Sequence, residues 1–108
     1  MTLLVRLLTL TLLIAPTGLL VADELDGETL AREKRCVACH DLEQTLLGPP
    51  YKAIAARHSA NREIMVEVLA KKIIVGGAGN WGIVPMVPNE HVTMDEARAI
   101  SRWILDLQ

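Results

Sequence analysis

Cys36-Val37-Ala38-Cys39-His40 is the stretch of sequence around which the rest of the chain is arranged. A Cys-x-x-Cys-His run is typical of the attachment of a c-type haem. Two thiols one turn apart add to the two vinyl groups of one porphyrin, and the imidazole that follows becomes an axial ligand of the iron. The run therefore predicts one haem c, bound covalently through Cys36 and Cys39, with His40 on the iron. A redox-active Cys-x-x-Cys pair and half of a zinc site are the alternatives.

The first 22 residues are interpreted as a leader that is separate from the domain. Arg6 is their only charged residue, a largely apolar stretch ends at Ala22, and Asp23 begins a charged sequence. This pattern is typical of a secretory signal peptide. An uncleaved anchor is the alternative, although the apolar stretch is short for a spanning helix of about 20 residues. We therefore expect a signal peptide over 1–22, a domain over 23–108 and, because covalent haem attachment suits export, a periplasmic protein that is soluble once the leader is removed.

Composition supports a small domain built on a cofactor. The chain of 108 residues has no Phe, two Trp and one Tyr, so it is short of large apolar side chains. A domain of this size has a marginal core, and an apolar cofactor would supply the missing volume. Both cysteines lie in the motif, which excludes a structural disulfide. The net charge of −2 argues against a nucleic-acid partner.

Helical periodicity predicts an all-α fold of about four helices wrapped around the haem. The first helix is expected to begin at Asp26 or Glu28 and to run into Cys36, holding both thiols on one face. A short helix over 51–57 follows Gly48-Pro49-Pro50, because proline suits the first turn of a helix.

Capping residues locate the last two helices. Asn61 is a good N-cap for the third helix, which Gly76-Gly77 should end. Thr93 and Glu96 have the capping-box spacing and open the fourth. Residues 76–92 should form an irregular loop, and loops of that length in compact domains are usually functional.

The second axial ligand should come from downstream of the motif. The candidates are Met65, Met86, Met94, His58 and His91. Met86 lies between Pro85 and Pro88, and prolines restrict a loop and deny it helix geometry. A rigid loop that presents one thioether is what a sixth ligand requires, so Met86 is the prediction. The alternative is a methionine that fills a gap in the core.

These pieces together resemble a known family. The chain is similar to small bacterial class I cytochromes c of the cytochrome c-551 (c8) group over nearly all of residues 23–108. The matching pieces, in order, are 36–40, Gly48-Pro49-Pro50-Tyr51-Lys52, 76–82 with Gly76-Gly77-Ala78-Gly79-Asn80-Trp81-Gly82, Pro85-Met86-Val87-Pro88-Asn89, and Asp95-Glu96-Ala97 leading to Trp103-Ile104-Leu105.

The resemblance implies roles for four further residues. Pro49 resembles the proline whose carbonyl accepts the second ring N–H of the axial histidine, which orients the ring. Trp81 resembles the tryptophan whose indole N–H donates to a haem propionate. Lys72 stands where an arginine often lies near a propionate, and a lysine keeps the charge but not the fork. Asn89 resembles the asparagine whose amide bonds the ligand sulfur.

Two departures from the family pattern stand out. Leu30-Ala31 replace an aromatic in the first helix, so packing against Ile100 and Trp103 should differ in detail. The segment from Asn89 to Asp95 is about one residue longer than the pattern, which adds His91.

With both axial positions filled, the expected function is outer-sphere electron transfer rather than catalysis. Partners would be redox proteins that bind the monomer transiently through a small interface near the haem edge. The alternatives are a fixed electron-transfer subunit of a larger oxidoreductase, a haem peroxidase or gas-binding protein with a vacated sixth site, and a thiol oxidoreductase. Expected pocket walls are Val37, Leu47, Ile54, Leu69, Ile73, Ile74, Val84 and Pro85. A group of basic residues has two interpretations: a basic rim around the docking surface at the haem edge, or ordinary solvated helix faces. These residues are Arg32, Lys34, Arg35, Lys52, Arg57, Lys71 and Lys72.

Overall fold

A computed structural model of the chain describes Gly18 and residues 24–108. Within this part, the α-helices are α1 (Gly27–Glu33), α2 (Tyr51–His58), α3 (Arg62–Val75) and α4 (Met94–Leu105). Two 3-10 turns lie at Cys36–Ala38 and Ser59–Asn61, and no β-strand forms among the described residues. The predicted all-α fold of about four helices is confirmed. The predicted leader lies outside the described residues except for Gly18, and no helix of the described part is long and apolar enough to cross a membrane.

The last helix, α4, is the one against which the others pack. Its start has the predicted capping box: the Thr93 hydroxyl accepts the N–H of Glu96 at 3.2 Å, and the Glu96 carboxylate accepts the N–H of Thr93 at 2.9 Å. One face of α4 buries Ala97, Ile100 and Ile104. α1, α2 and α3 all contact it, so α4 holds together the two helices, α1 and α2, between which the haem motif lies.

The start of the motif differs from the expectation. α1 ends at Glu33, and Arg35 has a left-handed backbone with φ of 68°. A left-handed residue cannot continue a right-handed helix, so the prediction that the first helix runs into Cys36 is wrong. Cys36 begins a separate 3-10 turn and Cys39 caps it. The N–H groups of Cys39 and His40 both donate to the carbonyl of Cys36, at 3.1 and 3.0 Å.

The core fills the space between α1, α2, α3 and α4. Leu30 and Ala31, which replace the expected aromatic, are buried in the same cluster as Ile100, and Trp103 packs against that cluster. The buried residues of the cluster are Leu30, Ala31, Tyr51, Ile54, Ala70, Ile73, Val92, Ala97, Ala99, Ile100 and Ile104.

α3 begins and ends where the sequence predicts. Asn61 precedes it, although its side chain makes no cap hydrogen bond within the described structure. Gly76 ends the helix and donates its N–H to the carbonyl of Lys72 at 2.8 Å. The loop that follows is irregular, as expected, except for one antiparallel bridge between Gly77 and Met86.

Candidate haem-binding site

Both thiols of the motif are free and lie on the same short turn. Cys36 and Cys39 are half-buried, and Cys36 packs against the core. Burial raises the pKa of the Cys36 thiol. The nucleophilic cysteine of a thiol oxidoreductase has a lowered pKa, and the Cys36 thiol does not have this property.

The imidazole of His40 is oriented by the backbone of the following loop. Its Nδ1 lies 2.8 Å from the carbonyl oxygen of Pro49, the contact that the family resemblance implies. A carbonyl can only accept, so Nδ1 carries the hydrogen and Nε2 has the lone pair available to a metal. A ring held in this way is a more basic ligand with a fixed orientation.

Two neighbours support the His40 ring. Tyr51 stacks on it, with ring centroids 5.5 Å apart and an angle of 23° between the planes. Tyr51 in turn packs edge to face with Trp103, with ring centroids 4.9 Å apart. The ring therefore connects through two aromatic contacts to α4 and the core.

Gly48 is a site residue that the sequence did not single out. A Cβ added to it would lie 2.5 Å from Cε1 and 2.8 Å from Nδ1 of His40. Carbon atoms in contact are 3.5 to 4.0 Å apart, so only glycine leaves room for the imidazole. Its place in Gly48-Pro49-Pro50 marks a turn, but the sequence does not show that the turn lies against His40.

The loop that carries Met86 is tied to the end of α3 by its backbone. Gly77 and Met86 exchange two hydrogen bonds: the Gly77 N–H donates at 2.9 Å and the Met86 N–H at 2.7 Å. Gly76, with φ of 70°, lies so close that an added Cβ would clash with the Met86 carbonyl and approach Pro88 N to 2.8 Å. The Met86 side chain is half-buried and packs against the core. The loop thus presents its thioether from a fixed backbone.

Asn89 secures the other end of this loop. Its backbone N–H donates to the Ile74 carbonyl at 3.1 Å, and its side-chain amide donates to the carbonyls of Ile73, at 2.9 Å, and Val87, at 3.2 Å. A bond from this amide to the Met86 sulfur would require one of the two to be released, and it stays a prediction.

The resemblance places Trp81 and Lys72 near a propionate. Trp81 lies in the loop before Met86, and Lys72 lies in the last turn of α3, from which that loop starts. Trp81 is about half exposed, at 45%. Lys72 is half-buried and lies over Gly77, with Nζ 2.8 Å from a Cβ added there. The guanidinium of Arg57 lies over the Trp81 ring, 4.5 Å from its centroid, and this neighbour was not anticipated.

The other candidates for the sixth ligand have different surroundings. Met65 is half-buried in α3 and Met94 is exposed at the start of α4. Burial and the nearby Arg57 charge lower the pKa of His58. The His91 ring reaches back to α1, where its Nε2 lies 3.3 Å from the Lys34 carbonyl. His91 therefore connects the added residue of the loop to the end of the first helix.

The residues present fit a haem. The Nε2 of His40 and the two free thiols are the donor set that a haem c needs. Several apolar side chains around the motif and the ligand loop are about half exposed or more, and an apolar cofactor would cover them. Two of the expected pocket walls, Ile54 and Ile73, are buried. The buried Tyr51 hydroxyl also has no partner among the described residues. The exposed apolar residues are Val37, Leu46, Leu47, Trp81, Ile83, Val84 and Val87.

Three of the seven basic side chains that could form a basic rim are paired with neighbouring acids. Arg32 pairs with Glu28 at 2.5 Å, Lys52 pairs with Glu43 at 2.7 Å, and Lys34 pairs with Glu96 at 3.1 Å. These three pairs are typical of ordinary solvated helix faces, whereas Arg35, Arg57, Lys71 and Lys72 form no ion pair among residues 24–108.

Comparison with known proteins gives one family. Residues 25–108 match the family model described as cytochrome c. The chain is 43% identical over 97 residues to cytochrome c-552 of Hydrogenobacter thermophilus, which covers 90% of this chain and 96% of that protein. It is 41% identical over 78 residues to cytochrome c-551 of Allochromatium vinosum, covering 72% and 82%. The crystal structure of Nitrosomonas europaea cytochrome c552 superposes with a TM-score of 0.71 at 41% identity, over 75% of this chain and 99% of that one.

Proposed function

The chain belongs to the cytochrome c family, and from this premise we propose that it is a periplasmic electron carrier whose iron is ligated by His40 and Met86. Family membership confirms the predicted class I cytochrome c of the c-551 type, its all-α fold, its covalent haem c and its role in electron transfer rather than catalysis. The ligands, the compartment and the partners are the proposed part.

The observation that carries the proposal is the double backbone bridge between Gly77 and Met86. Together with the Asn89 amide on the Ile73 carbonyl, it holds the backbone of Met86 at one place relative to α3. Ligands that do not move between oxidation states keep the reorganisation at each electron transfer small. A closed sixth position also leaves no site for a substrate or a gas at the metal.

Residues of this chain then have defined tasks around the cofactor. Cys36 and Cys39 would form the two thioether bonds, and the Pro49 carbonyl would keep the His40 imidazole oriented. When bound, the haem supplies a one-electron Fe(III)/Fe(II) couple. The thioether of Met86 is a weaker donor than a second imidazole and favours Fe(II). Apolar walls do the same, because a medium of low dielectric disfavours the extra charge of Fe(III).

Roles for three residues around the haem are proposed from the same contacts. We assign Trp81 and Lys72 to the side of the haem that carries the propionates. The support is that Trp81 lies in the loop that precedes Met86, and that Lys72 lies against Gly77 at the start of this loop. Asn89 holds the ligand loop to α3, and a bond from its amide to the Met86 sulfur would tune the potential.

Redox proteins are the proposed partners of the monomer, bound for a short time beside the thioether attachment. Val37, within the motif, and Leu47, in the loop after it, are expected walls of the haem pocket, so a partner bound there would lie beside the haem edge. Transient electron-transfer interfaces are small, under about 1,200 Å². The signal peptide predicted over residues 1–22 supports export to the periplasm, where one partner would deliver the electron and a second would accept it.

Carbon monoxide binding tests the closed site. The ferrous wild-type protein should not bind carbon monoxide, because Met86 occupies the sixth position. Met86→Ala should bind it, whereas the control Met65→Ala should behave as the wild type. Ready binding by the wild-type protein would refute the proposal and favour a gas-binding haem protein.

A further inference from the structure

Arg57 makes two contacts with the loop that carries Trp81, and no motif of the sequence accounts for either. Its guanidinium carbon lies 4.5 Å from the centroid of the Trp81 ring. Its Nη1 donates to the carbonyl of Asn80 at 2.8 Å. One side chain therefore holds both the backbone before the tryptophan and the face of its ring.

The two ends of this contact differ in how firmly they are held. Arg57 lies in the last turn of α2, which is anchored by the buried side chains of Ile54 and Ala55. The tip of the Trp81 loop is an irregular turn closed by a bond from the Gly79 N–H to the Gly82 carbonyl at 3.1 Å. Arg57 thus ties a loosely built segment to a helix that packs on α4.

The contact also brings a positive charge to the indole. None of the ion pairs found among residues 24–108 includes Arg57, so its charge is not cancelled by a carboxylate in the way that the charges of Arg32 and Lys52 are. Lys72, at the propionate position, lacks the planar fork of an arginine. The guanidinium beside the Trp81 loop is supplied by Arg57 of α2 instead.

We propose that Arg57 is a positioning residue: it fixes the Trp81 indole for its hydrogen bond to a haem propionate and adds a positive charge beside that carboxylate. This inference rests on the proposed function, and specifically on the propionate role of Trp81. The added positive charge disfavours Fe(III) relative to Fe(II), so losing it lowers the reduction potential.

The test compares two substitutions of Arg57 with a matched control in the haem-loaded protein. Arg57→Gln removes the charge and the stacking group, and Arg57→Lys keeps the charge alone. Arg102→Gln removes the same charge from α4, where Arg102 lies in a shallow groove beside Asp26 and Gly27 at the start of α1. A redox titration gives the potential, and proton exchange at the Trp81 indole N–H, followed by NMR, gives its protection.

Arg57→Gln should shift the Fe(III)/Fe(II) equilibrium toward Fe(III) by about threefold, which is about 28 mV for a one-electron couple. Its Trp81 indole N–H should exchange faster. Arg57→Lys should keep most of the potential but lose the protection of the indole, and Arg102→Gln should change neither. In the wild-type protein the side-chain protons of Arg57 should show the upfield ring-current shift of a group stacked on an indole.

An unchanged potential and unchanged indole exchange in folded Arg57→Gln would overturn the inference. So would the absence of the ring-current shift in the wild-type protein, a measurement that needs no variant. Failure of the proposed function looks different, because it removes the spectroscopic signs of Met86 ligation from the wild-type protein whatever Arg57 does.

Discussion

Gly48→Ala is the substitution that most directly probes how the chain holds its axial histidine. The added methyl carbon would lie 2.5 Å from Cε1, 2.8 Å from Nδ1 and 3.0 Å from Nε2 of His40. Ordinary contacts between carbon atoms are 3.5 to 4.0 Å. The ring and the 48–50 backbone must therefore move about 1 Å apart, which also strains the bond between Nδ1 and the Pro49 carbonyl.

Two costs add in this variant. Overpacking a well-packed site costs about 1–3 kcal/mol, and a weakened hydrogen bond loses up to about 0.5–1.5 kcal/mol. We expect the free energy of unfolding to fall by roughly 2–4 kcal/mol. A small domain has about 5–15 kcal/mol in total, so the variant should still fold and remain measurable.

Urea unfolding of the ferric protein, followed by circular dichroism, measures the loss, and NMR of the His40 ring protons shows whether the imidazole has moved. Gly79→Ala is the control, because a Cβ there meets no atom within 4 Å although φ is 96°. It should lose stability through backbone strain of about 1–2 kcal/mol and leave the His40 signals in place. A loss below about 0.5 kcal/mol in Gly48→Ala, with unmoved His40 signals, would refute the close approach of Gly48 to the ring.

Three further predictions follow from the site and the core. Met86→His should lower the reduction potential clearly within the range of about 0.8 V that axial ligands span; an unchanged potential in a redox titration would contradict ligation by Met86. Hydrogen bonds from the backbone N–H groups of Gln44 and Glu43 lower the pKa of Asp41 in the folded protein. The ionised Asp41 carboxylate therefore stabilises the fold fully above its unfolded-state pKa of about 3.9, and this stabilisation is lost as pH falls through the lower folded-state pKa. Asp41→Asn should therefore flatten the fall of the urea midpoint below about pH 4, and a slope equal to that of the wild type would refute this. Ile100→Ala, at a side chain that is 1% exposed, should cost about 2–5 kcal/mol of unfolding free energy; a cost below about 1 kcal/mol would show that Ile100 is not at the centre of the core.

Local signals made parts of the fold predictable from the sequence. The capping box of Thr93 and Glu96 forms as expected, because both partners lie within one turn. The end of α3 at Gly76 was predictable for the same reason. The end of α1 was not predictable, because nothing in the residue type of Arg35 shows that it adopts a left-handed backbone.

The site divides in a similar way. The cysteines, His40 and Met86 were predicted from spacing and from flanking prolines, and Pro49 from the family resemblance. The contact between Pro49 and His40 is present, and ligation by Met86 stays a prediction. Gly48 and Arg57 were missed, because their roles arise from contacts between segments distant in the sequence. The bonds from the Asn89 amide to the Ile73 and Val87 carbonyls likewise depend on where the loop meets α3, which spacing cannot show.

The proposed ligand set has one most direct measurement, proton NMR of the ferrous protein with isotope-labelled methionine. A methionine on the iron lies under the porphyrin ring current, which moves its methyl resonance far upfield. We predict one such resonance, assigned to Met86 by its loss in Met86→Ala and its persistence in Met65→Ala and Met94→Ala. Absence of an upfield methionine methyl, or its assignment to Met65 or Met94, would contradict the account.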